Sequence, residues 1–117
     1  MNRPNLLLLC LAGTLFSTAA IAADFAYNRT PSMKVGSSVM LKGVRAGDCG
    51  NTAPSWASIK GKLPKSNLGR FSDGGAGTVR SNSCGSRVAA RGVRFTATKA
   101  GTESFVIYDD KFNVTVR

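Results

Sequence analysis

Alternating apolar and polar positions dominate the last third of the chain and predict three strands. Residues 93–98 and 111–117 alternate strictly, which is typical of strands with one apolar face. The apolar positions are Val93, Phe95, Ala97, Phe112, Val114 and Val116. Between these segments, the nearly continuous apolar run 104–108 favours a central strand buried on both faces. Turn residues at 99–101 and 109–111 separate the three segments, so we expect an antiparallel meander.

The first half of the mature chain carries weaker strand patterns. Residues 24–30 favour an edge strand that ends before Pro31, because proline cannot donate to a ladder. In the next predicted strand the inward positions are Val39 and Leu41, and the outward ones are Met40 and Lys42. Residues 55–60 predict a short strand, and its Trp56, the only tryptophan, is expected to anchor the core.

The middle segment, residues 61–86, predicts a long glycine-rich loop. Five glycines after Gly61 interrupt it, and only residues 77–80 have an extended pattern. A loop of this length inside a compact domain often carries function. The alternative interpretation is that the segment hides two short strands whose pattern is too weak to detect.

Residues 1–23 are predicted to be a secretory signal peptide. A basic residue near the start precedes the apolar run 6–16, which is too short to cross a bilayer, and an Ala-Ile-Ala pattern indicates cleavage after Ala22 or Ala23. Cleavage leaves about 94 residues, 24–117, which is one domain without a further membrane-spanning segment. The cleavage pattern favours a bacterial protein, periplasmic or secreted.

Two cysteines remain in the mature chain once Cys10 leaves with the signal peptide. In an oxidising compartment Cys49 and Cys84 are expected to form one disulfide. A redox-active pair is the alternative, but the Cys-x-x-Cys spacing that lowers a thiol pKa is missing.

Three segments resemble bacterial immunoglobulin-like domains. Residues 95–102 read Phe-Thr-Ala-Thr-Lys-Ala-Gly-Thr, residues 114–116 read Val-Thr-Val, and residues 34–39 contain a Val-Gly-x-x-Val pattern. The resemblance implies a single immunoglobulin-like antiparallel β-sandwich that binds rather than catalyses. The chain departs from that family in its cysteines, because Cys49 and Cys84 lie in predicted loops and closer in sequence than the usual core bridge.

Catalytic chemistry finds little support in the residue types. The chain has no histidine, which removes the usual general base, the common nucleophile systems and most zinc sites. Asp48 and Asp73 are the only loop acids near the middle segment, and they make a poor glycosidase pair. Asp109 and Asp110 are too few for calcium. We therefore expect no enzyme, no catalytic residue, no metal and no cofactor.

The charge of the chain points to an anionic partner. Its net charge is +10, and loss of Arg3 with the signal peptide leaves +9. Arginine and lysine bind phosphates and carboxylates, so we expect an anionic polymer of the cell envelope or an acidic protein as partner. The candidate anion-binding residues form two runs, Lys60, Lys62, Lys65 and Arg70, then Arg80, Arg87, Arg91 and Arg94. If the disulfide folds the middle segment back, both runs share one face.

Three other interpretations stay open at this point. The cations are scattered, solvated charges without a dedicated ligand. The chain is a small secreted inhibitor of an acidic protein that inserts the loop 67–87 into its target. The chain is a structural accessory subunit of an envelope complex, which predicts an unpaired edge at 24–30.

Overall fold

The computed structural model describes residues 23–47 and 49–117. The predicted signal peptide, apart from its last residue, and Asp48 lie outside the described residues. The elements are β1 (Ala23–Asp24), β2 (Ser32–Met33), β3 (Ser38–Arg45), α1 (Trp56–Lys60), β4 (Gly69–Ser81), β5 (Ser86–Ala97), β6 (Gly101–Ile107) and β7 (Asp110–Val116). Strands dominate the described chain, so the all-β class is confirmed.

The strands form two sheets. A large sheet has the order β1-β4-β5-β3, and a small sheet has the order β2-β7-β6. Strands β3, β4 and β5 pair antiparallel, as do β6 and β7, whereas β1 on β4 and β2 on β7 are parallel.

One core lies between the sheets. Phe95 from the large sheet and Phe105 from the small sheet meet with ring centroids 5.8 Å apart, and Phe112 follows at 6.2 Å from Phe105. The apolar positions predicted on β5 and β7 are all buried. Because each large apolar side chain removed from water contributes about 1.5–3 kcal/mol, this shared core holds the two sheets together.

The N-terminal segment packs over the other face of the large sheet. After β1, the Phe25 N–H donates to the Thr78 carbonyl on β4, and the Asn28 N–H donates to the Leu41 carbonyl on β3. The chain therefore runs across one face of the large sheet, from β4 to β3. It places Phe25, which is 7% exposed, in a second apolar cluster on that face.

The predicted edge strand at 24–30 forms only at its start: Asp24 belongs to β1, the outermost strand of the large sheet, and residues 25–30 are not strand. Its start pairs with β4, and the following residues reach the small sheet, where the Pro31 carbonyl accepts from the Thr115 N–H. Proline is tolerated there because only its carbonyl is needed in the ladder.

The predicted meander is also wrong. The chain leaves the large sheet after β5 and enters the small sheet at β6, so of the three predicted strands only β6 and β7 form a hairpin with each other. Strand β6 is an edge strand, and Val106 is 54% exposed instead of buried. The hairpin turns at Tyr108 and Asp109, one residue before the predicted turn at 109–111. An apolar run does not distinguish a central strand from an edge strand with one exposed valine.

Residues 55–60, predicted as a strand, contain the helix α1 instead. The Ser55 hydroxyl caps this helix by accepting a hydrogen bond from the Ser58 N–H at 3.2 Å. Ile59 is fully buried and anchors the helix, while Trp56 is half-buried against the main core. The cap formed by Ser55 favours the start of a helix, and this local interaction outweighs the strand pattern of residues 55–60.

The predicted loop at 61–86 is mostly strand. Strand β4 spans 13 residues and pairs along its length with β5. Its glycines hide the period-2 pattern, and a bulge between Asp73 and Ala76 shifts its register. The alternative of two short strands is not the outcome either, because one long strand fills most of the segment.

A second bulge reverses the prediction for Lys42. The register of β3 shifts between Met40 and Lys42, which places Lys42 opposite the buried Val93. Its side chain therefore points inward, only 4% of the residue is exposed, and its Nζ lies 2.5 Å from the Asp110 Oδ2.

The disulfide between Cys49 and Cys84 is confirmed, with Cα atoms 5.7 Å apart. Cys84 lies in the turn of the β4–β5 hairpin, and Cys49 lies between β3 and α1. The bridge therefore ties the tip of the longest hairpin to the segment that follows β3.

Candidate functional site

The structure does not bring the two predicted runs of cations to one face. In the β4–β5 ladder Arg80 lies directly opposite Arg87, and Arg91 follows on the same face. Arg70 and Arg94 are paired with Thr96 and Ser72 and lie on the opposite face. Lys60 ends α1, and Lys62 and Lys65 follow it in the connection to β4, all three exposed.

Three arginines of the second run are held by groups of the protein itself. Arg87 is ion-paired with Asp24. The Arg91 Nη1 lies 3.3 Å from the Asp73 Oδ1, and its Nε donates to the Pro54 carbonyl at 3.0 Å. Arg94 donates to the Asp73 carbonyl at 3.4 Å. These contacts hold β1 and the β4 bulge in place, so the three arginines serve to stabilise the fold.

The first run contributes to a groove between α1 and β4. The groove has a volume of about 680 Å³. Two aromatic residues and three cations give it its character: Trp56, Phe71, Lys60, Lys65 and Arg70. We call it the Trp56 groove. Lys62, the remaining cation of the run, does not line it.

The aromatic floor of the Trp56 groove is fixed by the core. The Phe71 ring lies 5.4 Å from the Phe95 ring and 5.3 Å from the Phe105 ring, centroid to centroid. Trp56 packs against the same core and keeps part of its surface in the groove. Because these rings cannot turn away without breaking core contacts, the groove presents a preformed aromatic surface.

The cations of the groove carry no internal partner. Over residues 23–47 and 49–117, no hydrogen bond or ion pair involves the side chain of Lys60, Lys65 or Arg70. The carboxylate of Glu103, close to the groove wall, already accepts from the Ser66 hydroxyl at 2.5 Å and the Asn67 N–H at 2.8 Å. The three charges are therefore available to an anion from outside.

Aromatic surface and unpaired cations together suit one kind of ligand. Lysine and arginine attract phosphate, sulfate or carboxylate groups, and a fixed indole offers a flat apolar face to a ring. Among the described residues, no group of three histidine, cysteine, aspartate or glutamate side chains is placed to hold a metal ion.

Sequence reasoning had identified every cation of the groove but not the groove. Trp56 was expected in a strand and in the core, and Phe71 in a loop. The capping serine, Ser55, is the signal that could have revealed α1, since a serine before a short apolar segment favours a helix start.

Comparisons with known proteins add no further constraint: no family model, no curated protein and no solved structure matches this chain. In the described part of the chain, no helix has the length and apolar character needed to cross a membrane.

Proposed function

We propose that this chain is an exported, non-catalytic binding module whose Trp56 groove receives an anionic polymer. The observation that carries the proposal is the combination of three cations without internal partners and two fixed aromatic rings in one groove. The predicted signal peptide makes envelope polymers the natural candidates, and an acidic protein surface is the variant of the same chemistry.

We also propose that the domain is a variant of the immunoglobulin-like sandwich. The neighbours β3, β5 and β4 in the large sheet correspond to the B-E-D order of that fold, and the β6–β7 pair corresponds to F and G. In chain order the segment that contains α1 stands where strand C would, and in space it packs against β4. On this proposal, a helix in place of a strand provides the wall of the Trp56 groove.

The two other functional interpretations have less support. The inserting loop of the inhibitor hypothesis, 67–87, is a paired hairpin whose tip is tied down by the disulfide. For an accessory subunit, the predicted edge at 24–30 is reduced to the two residues of β1, the outermost strand of the large sheet. The outer side of β6 is a longer edge without a paired strand in the described chain, and it supports this hypothesis.

Retention on a heparin column across a salt gradient tests the proposal. The groove variant is Lys60→Glu with Lys65→Glu. The matched control is Lys34→Glu with Lys111→Glu, two exposed lysines elsewhere with the same change in net charge. Because a site with converging charges depends on position and not only on net charge, we expect the groove variant to elute at much lower salt than the control. Equal shifts for both variants would show that the charge acts diffusely and would overturn the proposal.

A further inference from the structure

A second cleft opens at the far end of β4, away from the Trp56 groove. Its volume is about 450 Å³. Tyr27 and Tyr108 line it and are 46% and 37% exposed, so both rings present apolar surface to solvent. The lining also includes Arg45 and Arg80. We call this the tyrosine cleft.

Backbone strain marks one wall of the tyrosine cleft. Tyr108 and Asp109 have φ values of 46° and 71°, and within the described chain they are the non-glycine residues in the left-handed region. They form a two-residue hairpin turn between the paired Ile107 and Asp110. Such turns favour Asn-Gly, because a tyrosine in this conformation is strained. Strain of this kind persists where the side chain has a task.

A buried cation fixes both tyrosines. The Lys42 Nζ lies 4.9 Å from the centroid of the Tyr27 ring and 5.9 Å from that of Tyr108. The same ammonium is ion-paired with Asp110, which also pairs with Arg29 at 3.2 Å. Because the ammonium attracts the negative face of each ring, the two rings are held in place before any ligand arrives.

Two arginines line the cleft together with Lys42, which is paired with Asp110, and with Asp109. Arg45 is oriented by the hairpin tip, donating to the Ser83 hydroxyl at 3.2 Å and contacting the Cys84 Sγ at 3.9 Å. Arg80 is exposed, and the structure shows no hydrogen bond or ion pair of its side chain with the described residues. A planar guanidinium next to an aromatic wall binds a carboxylate in a defined orientation.

We propose that the tyrosine cleft binds a saccharide ring that carries a carboxylate. The C–H face of the ring lies on the tyrosines, whose negative π-faces attract it, and the carboxylate is held by Arg80 with Arg45 beside it. This ligand class satisfies both features of the cleft, flat rings and guanidinium groups, in one unit. The inference goes beyond the proposed function, because it assigns a second site that is independent of the Trp56 groove.

Calorimetric titration of the mature, oxidised protein with trigalacturonate tests the inference, with its methyl ester as the uncharged counterpart. We expect the acid to bind and the ester to bind at least about tenfold more weakly, since the ester cannot accept the charged pair. Arg80→Gln should reduce the difference between acid and ester. The same titrations are repeated in the Lys60→Glu, Lys65→Glu variant, which disables the Trp56 groove. We expect the difference between acid and ester that depends on Arg80 to persist there, and its loss in that background would assign the binding to the Trp56 groove and overturn the inference.

Substitution of Tyr108 in the strained turn gives a second readout, in which stability and binding are expected to change in opposite directions. Tyr108→Asn suits the left-handed backbone, so it should leave the melting temperature unchanged or raise it, while trigalacturonate binding falls about tenfold or more. Asp109→Gly should also raise the melting temperature, because glycine adopts the left-handed backbone without strain. The inference is overturned if the wild type gives no heat with the acid, if acid and ester bind equally, or if Tyr108→Asn binds as well as the wild type.

Discussion

Adding one methyl group at Gly92 should destabilise the domain through Phe25. Gly92 lies on β5 under the N-terminal segment and is not in the left-handed region, so alanine suits its backbone. A Cβ atom there would lie 2.8 Å from two carbons of the Phe25 ring and 2.8 Å from the Met40 sulfur. These distances are too short for real contacts, so the ring must shift outward.

The magnitude follows from what the ring loses. Phe25 is 7% exposed, and full loss of its burial costs about 1.5–3 kcal/mol. We therefore expect Gly92→Ala to lower the free energy of unfolding by about 2–3 kcal/mol, although alanine in a strand otherwise has the advantage over glycine. Phe25→Ala alone should cost about 3–5 kcal/mol. In that background the ring is gone and only the flexible end of the Met40 side chain has to move aside, so Gly92→Ala should change stability by less than about 0.5 kcal/mol.

Urea unfolding followed by the fluorescence of Trp56, the single tryptophan, measures all four proteins of this cycle. Gly61→Ala is the control, because a Cβ there meets no atom within 4 Å. A coupling energy of at least about 1.5 kcal/mol is expected between Gly92 and Phe25. Additive effects would refute the placement of Phe25 over the large sheet, and with it the crossing of the N-terminal segment.

Two further predictions concern the disulfide at the tip of the β4–β5 hairpin and the ion pair between Lys42 and Asp110, which links the two sheets. Replacing both Cys49 and Cys84 by serine should cost about 4 kcal/mol, from the 35-residue separation in the chain-entropy model, and a loss below about 1 kcal/mol in urea unfolding would contradict it. At the Lys42–Asp110 pair, Asp110→Ala should cost about 3–5 kcal/mol because it strands a buried ammonium, whereas Lys42→Met should cost clearly less. A larger loss of stability for Lys42→Met than for Asp110→Ala in the same assay would contradict this prediction.

Strict alternation was the part of the fold that the sequence made visible. The apolar positions of β5 and β7 were predicted correctly because each strand buries one face and period 2 records that directly. Strand β4 was missed because glycines occupy positions that close neighbours leave no room to fill, such as Gly77 next to the Phe25 ring. Its strand character comes from pairing with β5 and not from its own pattern.

The candidate site could be predicted residue by residue but not as an assembly. Lys60, Lys65 and Arg70 were recognised by charge, yet their convergence depends on α1, whose five residues carry too little helical periodicity to outweigh a strand pattern. The bulge before Lys42 could not be predicted from the sequence either. It shifts the register by one residue, which moves the side chain to the other face of the strand without any local sequence signal.

Titration of the mature protein with polyphosphate, followed by Trp56 emission, tests the central claim most directly. The single tryptophan lies in the proposed groove, so its emission reports on a ligand there and nowhere else. The account predicts a saturable change in emission that disappears in about 0.5 M salt and in the Lys60→Glu, Lys65→Glu variant. Binding of the polymer with unchanged Trp56 emission would place the anion elsewhere on the domain and contradict the account.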